Sequence, residues 1–487
     1  MSLLSRINKK VVLFLLGLVV LALGISCVIP CIVSFIYSET RTIYPFVLTF
    51  FLCSIFGISM VYFNRDYQLP ISRRDGQIII ALLWIVIPLF GALPYMFFPD
   101  IFTISGAIFE SYSGYTTTGS TIIDDLTKVP RGVLAYRAMT QWVGGLGFAV
   151  IIILFLRSKA GQMMNIFNAE FSSVYKNKMY PHLSDVAIRI LVVYSSLTIL
   201  GYFLLRMGSM NGFQAFCHSL TTVATGGFST ENGNIGVFND SYTQNVITLL
   251  MFLSGTSYFV LVGVFKRNFK VLKDEQFLSY IYLILIASAA LALYWILYSP
   301  KPFYVDIQDA LFYTVSIITT TGYDLQTSQM GAFVSSALIF LMFIGGCSAS
   351  SASGLKIIRA LTLLRYAKVS LKKIFHPAAI MPVRMNKKCI PNEEIKNVFG
   401  FFFLYIAVFL IGVFFLSCLG NEFPASLTIS IANLGNIGPV VGGYLNSFSY
   451  SSLGVASQFV VVLLMLMGRL EIFAFIALFS KSLWRKI

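Results

Sequence analysis

The sequence predicts an all-α polytopic membrane protein. The expected layout is ten transmembrane helices, with four pseudo-symmetric helix–pore loop–helix units following an N-terminal helix pair. Three observations predict it. The 487 residues are 57% hydrophobic and 11% charged, with mean hydropathy +0.81. A soluble globular chain carries about 25% charged residues. Apolar runs long enough to cross a bilayer recur along the chain. They are too continuous for barrel strands, and only helices and closed barrels satisfy their backbone in lipid. Finally, four short glycine segments recur: TTTG ending at Gly119, VATG at Gly226, TTTG at Gly322 and ANLG at Gly435, with gaps of 107, 96 and 113 residues. A repeated period suggests one structural unit copied along the chain.

The spans are expected near 11–37, 44–63, 77–98, 132–156, 185–206, 243–265, 277–298, 332–365, 394–419 and 453–484. The first run is too long for a signal-peptide core and lacks a clear small-residue cleavage site, so it reads as a retained span. The first two spans form a pair with no glycine segment after them. The other eight make four pairs. Inside each pair lies a shorter apolar stretch, near 105–115, 212–222, 308–318 and 424–432, followed by the glycine segment. A stretch of about a dozen residues is too short to span and reads as re-entrant. Irregular backbone at that depth is tolerated only where it is buried or lines an aqueous cavity. The boundaries become 1–70 for the N-terminal pair and 71–160, 161–270, 271–375 and 376–487 for the four units.

The formal net charge is +15, but its distribution argues against nucleic-acid binding. Most Lys and Arg fall on one predicted side, including Arg65, Arg74, Lys266, Lys270 and the cluster from Lys356 to Lys396. The other side holds Asp124, Asp125, Glu231, Asp240 and Asp306. This is the positive-inside pattern, with both termini cytoplasmic. The polar stretches 157–184 and 366–393 become cytoplasmic loops that could meet anionic lipid or a soluble partner. The seven cysteines and three histidines form no metal-ligand spacing.

Glycine reaches φ > 0 without steric cost, which lets an extended loop aim its carbonyls at an axis. Threonine adds a hydroxyl oxygen, and oxygen ligands suit hard cations. A short helix pointing its C-terminal end at the same place adds favourable negative potential. None of the four segments contains a carboxylate. Neutral dipoles favour a weakly hydrated monovalent cation over calcium. The competing reading is that Gly and Thr only let helices pack closely. Four segments in phase, each after a short helix, favour the ion-binding reading.

These residues resemble the Trk/Ktr/HKT superfamily of potassium-uptake proteins, most closely its TrkH/TrkG type. The resemblance covers essentially the whole chain. It is carried by SGYTTTGST (113–121), QWVGGLG (141–147), TTVATGGFST (221–230), TTTGYD (319–324), GGCSASSASGLKIIR (345–359), ANLGNIGP (432–439) and MGRLEIF (467–473). It implies a four-strand carbonyl filter for K⁺. The strands carried over are Thr117–Thr121, Ala224–Phe228, Thr320–Asp324 and Asn433–Ile437. The ion-binding residues would be Thr117, Thr118, Gly119, Ala224, Thr225, Gly226, Thr320, Thr321, Gly322, Asn433, Leu434 and Gly435. The Asn-Leu-Gly of the fourth strand departs from the Thr-Thr-Gly pattern.

Two features suggest a gate. The eighth span breaks at 345–354, where Gly345, Gly346, Ser348, Ser350, Ser351, Ser353 and Gly354 will not hold a straight helix in lipid. In the family this loop obstructs the pore below the filter. Arg469 sits mid-span, and an intramembrane Arg usually faces protein interior or water along an ion pathway. The bland alternative pairs it with a carboxylate such as Glu471, which lies on a different helix face. In the family the matching Arg points into the pore. Glu110, in the first short helix, either raises local cation concentration or bonds nearby backbone.

The expected function is therefore K⁺ uptake across a bacterial inner membrane, with K⁺ as the transported ion and no organic cofactor in this chain. An H⁺- or Na⁺-coupled cation symporter is the alternative. Paired intramembrane carboxylates for a proton relay are missing from the sequence. An enzyme is disfavoured because the spans lack convergent acid, base or metal groups. No GxxxxGK[ST] motif is present. The resemblance implies a cytoplasmic TrkA-like nucleotide-binding regulatory partner and a homodimeric membrane part.

Overall fold

The structure, a computed structural model, describes residues 8–66, 72–147, 150–151, 153, 183–299, 301–325, 331–379, 381–439 and 449–479. Residues 157–182 of the expected loop at 157–184, and the end of the tenth span beyond residue 479, lie outside the described residues.

The first described helices are α1 (Lys9–Ser26) and α2 (Val28–Ile36), which form one apolar segment against α3 (Thr40–Phe63). The Glu39 carboxylate between α2 and α3 accepts from the backbone N–H groups of Arg131 (2.8 Å) and Gly132 (3.0 Å). Those two residues begin α7 (Arg131–Leu146). A carboxylate on orphan N–H groups at a helix N-terminus is favourable, so this contact ties the N-terminal pair to the rest of the molecule.

Next come α4 (Arg73–Gly91) and its one-turn continuation α5 (Leu93–Met96), then α6 (Ile104–Tyr115) before α7. Then follow α8 (Leu183–Arg206), α9 (Gly212–Val223), α10 (Ser241–Ser254) and α11 (Tyr258–Phe265). After these, α12 (Glu275–Tyr298), α13 (Phe303–Ile318), α14 (Ala332–Met342) and α15 (Ile357–Phe375) run in order. A two-stranded ribbon, β1 (Arg384–Met385) and β2 (Lys388–Cys389), leads to α16 (Asn392–Cys418), α17 (Phe423–Leu434), α18 (Val455–Arg469) and α19 (Phe473–Phe479).

Local chemistry starts the short helices where the sequence expects them. Thr103 caps α6 by accepting from Gly106 N–H, and Asn211 and Gln214 form a reciprocal capping box on α9. Pro302 precedes α13, and Pro424 sits in the first turn of α17, where its missing N–H costs no helical bond.

The number of continuous spans differs from expectation. Among the described residues, six helical segments are long and apolar enough to cross a membrane. These correspond to the spans expected near 11–37, 44–63, 77–98, 185–206, 277–298 and 394–419. The other four expected spans, 132–156, 243–265, 332–365 and 453–484, are all interrupted. α7 stops at Gly147, which has φ 86°. α10 and α11 meet at 101° across Gly255–Ser257. α14 gives way to a long loop before α15. α18 ends at Arg469, and both Glu471 and Ile472 have positive φ (52° and 53°). Apolar composition counts residues in lipid-like sequence, but small and polar residues at the same depth let each of these helices break.

Candidate ion-conduction site

Four short helices converge with a shared ending. The caps after α6, α9, α13 and α17 are Thr116, Ala224, Thr319 and Gly435, each in right-handed helical conformation. The next residues, Thr117, Thr225, Thr320 and Asn436, have φ of 55°, 52°, 57° and 53°. Two residues further, Gly119, Gly227, Gly322 and Gly438 have φ of 86°, 78°, 75° and 93°. Three β-branched threonines in the left-handed region are genuine outliers. Such strain, about 1–3 kcal/mol per residue, persists only where surroundings over-determine it, and it gathers at functional sites.

In two segments the positive-φ residues fall in a different register from the expected ion-binding residues. In the second loop the positive-φ glycine is Gly227, with Gly226 before it. In the fourth, Asn433 and Leu434 are the last residues of α17 and Gly435 is its cap at φ −77°. The positive-φ pair is instead Asn436 and Gly438. VATGG and ANLGNIG each offer two glycines, and the point where the helix stops selects between them. Thr117, Thr118 and Gly119 lie in the first loop, and Thr320, Thr321 and Gly322 in the third. Ala224 is a helix cap, with Thr225 and Gly226 following it.

The four loops close on one another. A Cβ on Gly119 would collide with the carbonyl oxygen of Gly226. One on Gly227 would strike the Thr321 oxygen, one on Gly322 the Ile437 oxygen, and one on Gly438 the Thr118 oxygen. Loop one thus abuts loop two, two abuts three, three abuts four, and four returns to one. The oxygens involved come from the residue before each glycine.

Buried side chains hold the loops. Glu110 and Arg137 form an ion pair at 2.7 Å with side chains 0% and 2% exposed. Glu110 also accepts from Thr121 Oγ1 and Ile122 N–H in the first loop, while Arg137 donates to Ser229 O beyond the second. Arg137 further lies over the Phe228 ring. Glu110 therefore bonds nearby backbone as well as a charged partner. Ser120 donates to Asn433 Oδ1 (2.7 Å), and Asn436 donates to Thr118 Oγ1 (2.9 Å), fastening loops one and four. Arg137 escaped the sequence reading, although the rule that singled out Arg469 applies to it equally.

The loop between α14 and α15 packs against the third ring loop and the end of α9. Gly345 and Gly354 have φ of 73° and 82°, and a Cβ on Gly345 would collide with Ser353 O. Gly346 O accepts from Ile357 N–H. Ser353 N–H donates to Thr320 Oγ1, and Ser351 Oγ donates to Val223 O at the end of α9. Ser350 Oγ bonds Cys347 O within the loop, and Ser348 is buried.

Arg469 reaches this loop. Its guanidinium donates to Ser351 O (3.0 Å), Ser353 Oγ (3.3 Å) and Gly144 O (2.6 Å), and it lies 5.2 Å from the Trp84 ring centroid. Glu471 faces elsewhere and forms ion pairs with Lys356 (2.6 Å) and Arg359. Gly145, Ser350, Ser353, Gly468, Arg469 and Glu471 are among the residues that line a cavity of about 40 Å³. Among the described residues no cluster of three or more His, Cys, Asp or Glu could hold a metal. The oxygens that Arg469 meets are backbone carbonyls and a hydroxyl.

Comparisons with known proteins agree with this architecture. Residues 43–293 and 302–486 match the family described as TrkH, cation transport protein. The Trk system potassium uptake protein TrkH of Escherichia coli (strain K12) is 31% identical over 481 residues, covering 97% of this chain and 98% of that protein. The protein of the same name from Vibrio parahaemolyticus is 32% identical over 483 residues, with 97% and 98% covered. The crystal structure of the potassium transporter TrkH from Vibrio parahaemolyticus superposes with TM-score 0.90 at 28% identity, covering 98% of this chain and all of that one. The family is one of transporters, not enzymes. With nearly the whole sequence matched and the helical membrane fold shared, this chain belongs to the TrkH family of cation transport proteins.

Proposed function

We propose that this chain takes up K⁺ across a bacterial inner membrane, through a filter built from its four short loops. The carrying observation is the closed order in which each positive-φ glycine abuts the preceding-residue carbonyl of the next loop. Four oxygens around one axis replace the hydration shell of a cation. The filter segments are Thr117–Gly119, Thr225–Gly227, Thr320–Gly322 and Asn436–Gly438. The four pseudo-symmetric units at 71–160, 161–270, 271–375 and 376–487 each supply one segment, with 1–70 as a bracing pair. The names of the relatives, potassium uptake protein and potassium transporter, support K⁺ as the ion.

The loop at 345–354 acts as the gate, with Arg469 holding it and adding positive charge beneath the filter. Its bonds to Ser351 and Ser353 support that role. Both termini face the cytoplasm, in line with the distribution of Lys and Arg. A cytoplasmic TrkA-like nucleotide-binding subunit would control the gate, and the membrane part would be a homodimer. An H⁺- or Na⁺-coupled symporter has less support, because Glu110 and Glu471 are both engaged in ion pairs.

Growth of a K⁺-uptake-deficient bacterium on low K⁺, with tracer Rb⁺ uptake into liposomes at clamped voltage, tests this reading. Rescue and voltage-driven Rb⁺ entry, independent of pH and Na⁺ gradients, are expected. Absence of both in correctly inserted protein would overturn it. Flux that follows the H⁺ or Na⁺ gradient would establish coupling.

A further inference from the structure

Three of the four interrupted helices carry the same residue where the remaining one differs. A Cβ on Gly144 of α7 would collide with the carbonyl of Tyr115, the last residue of α6. A Cβ on Gly468 of α18 would collide with that of Leu434, the last residue of α17. Gly144 and Gly468 therefore correspond, and three residues earlier stand Gln141 and Met465. Likewise Gly145 packs on the cap Ala224 and Gly255 on the cap Thr319, which equates Gln141 with Met251 four residues earlier. After α14, Gly345 and Gly346 repeat the paired glycines Gly144 and Gly145, which matches Met342 to Gln141, and the Met342 carbonyl lies against the cap Gly435. All four side chains are fully buried at 0% exposure. One turn before them stand Arg137, Ile247, Leu338 and Val461.

Gln141 uses its polar head. Its Nε2 donates to Gly226 O at 2.6 Å, and its Oε1 accepts from Phe228 N–H at 3.2 Å. Gly226 O is one of the four oxygens in the closed ring. A thioether has no hydrogen to donate, so the methionines cannot make this bond to the other loops. We propose that Gln141 is a selectivity-determining residue, which draws on one ring carbonyl so that the filter presents three stronger oxygens and one weaker.

The inference rests on the filter reading. Selection between cations depends on the number and field strength of the coordinating carbonyls. A carbonyl that already accepts a short hydrogen bond has less of its lone-pair density available for an ion. Lower field strength penalises the smaller, more strongly hydrated Na⁺ more than K⁺. The second bond, from Phe228 N–H, fixes the amide so that it cannot turn its oxygen toward Gly226. Gln141 thus sets both the field and the position of that oxygen.

Two variants separate the bonds. Gln141→Met installs the residue of the other three helices and removes both. Gln141→Glu keeps an acceptor for Phe228 N–H and, when ionised, removes the donor to Gly226. Purified full-length protein would be assayed for Rb⁺ uptake into liposomes with K⁺ or Na⁺ as competitor. Its thermal midpoint would also be titrated with KCl and NaCl, a binding readout that needs no flux. Loss of one ordinary hydrogen bond corresponds to a fall of about tenfold in the K⁺-over-Na⁺ ratio for both variants. Unchanged ratios in variants that fold would overturn the role of Gln141 and leave the filter intact. Failure of both variants to assemble would overturn it too, assigning the bonds to folding. If the unmodified protein showed neither Rb⁺ flux nor cation-specific stabilisation, the filter reading itself would fail.

Discussion

The backbone N–H of Ser353 donates to the side-chain hydroxyl of Thr320 at 3.0 Å. Thr320 is a strained residue of the third ring loop, and Ser353 belongs to the loop that interrupts the helix pattern after it. The two parts of the proposed pathway therefore touch directly. Movement of the 345–354 loop would remove a hydrogen bond from the side-chain hydroxyl of a ring residue, which gives a physical route from the proposed gate to ion occupancy.

The register of the positive-φ residues makes a sharp prediction in the fourth loop. Gly438 has φ 93°, and a side chain there would drive into Thr118 O. Gly435 is a right-handed helix cap whose nearest obstacle to a Cβ is Ile431 O at 3.0 Å. The left-handed conformation alone costs an L-residue about 1–2 kcal/mol. Gly438→Ala should abolish growth rescue on low K⁺, while Gly435→Ala should retain a substantial part. The reverse order would restore ANLG as the functional segment.

Arg469 should restrain the lower loop by geometry as well as charge. Hydrogen bonds involving a charged group contribute about 1.5–3 kcal/mol each. Arg469→Ala removes three and should raise basal Rb⁺ flux in liposomes with near-normal protein yield. Lysine keeps the charge but lacks the planar fork that reaches the Ser351, Ser353 and Gly144 oxygens together. Arg469→Lys should therefore leak less than Ala and more than the unmodified chain. A stable Ala variant with unchanged flux would remove Arg469 from gating.

Deleting part of 345–354 should also raise basal flux, without altering the K⁺/Rb⁺/Na⁺ order, because no ring oxygen comes from this loop. Tracer uptake with the purified chain alone would show it. Flux at the unmodified level would mean that the loop fills space without obstructing ions.

The Glu110–Arg137 pair predicts a stability effect. Removing one member of a buried pair leaves an uncompensated charge and typically costs about 3–5 kcal/mol. Arg137→Met should lower the thermal midpoint in detergent markedly. Glu110→Gln, which keeps acceptor capacity for Thr121 and Ile122 N–H, should lower it less. The double variant should recover part of the loss. Strict additivity of the two effects would show that the residues do not act as a pair.

Glu471 is the shared partner of Lys356 and Arg359. It joins the start of α15 to the break after α18, at backbone with positive φ. Glu471→Gln should weaken both bridges, lower the thermal midpoint and make basal Rb⁺ flux less dependent on ionic strength. Equal salt dependence in the two proteins would mean that the cluster does not influence flux.

Composition by itself determined that this is a helical membrane protein, because a backbone in lipid has few ways to satisfy its polar groups. Length and turn residues located the short helices: α6, α9, α13 and α17 begin and end close to the expected stretches. Family membership was legible in glycine and serine motifs spread along the chain. The tertiary structure decided what depends on contacts between distant residues. Hydropathy cannot see a break, so the interruptions at Gly147, Gly255 and Glu471 emerged only when the helices packed around the four loops. Glycine spacing cannot choose between neighbouring glycines, so Gly227 and Gly438 emerged only from the backbone conformation beyond each helix end. Arg137 and Gln141 were in plain view on one helix, but their partners Glu110, Ser229 and Gly226 lie 27, 92 and 85 residues away. Hydrogen bonds act over about 3 Å whatever the separation in sequence, and only the folded chain brings those atoms within reach.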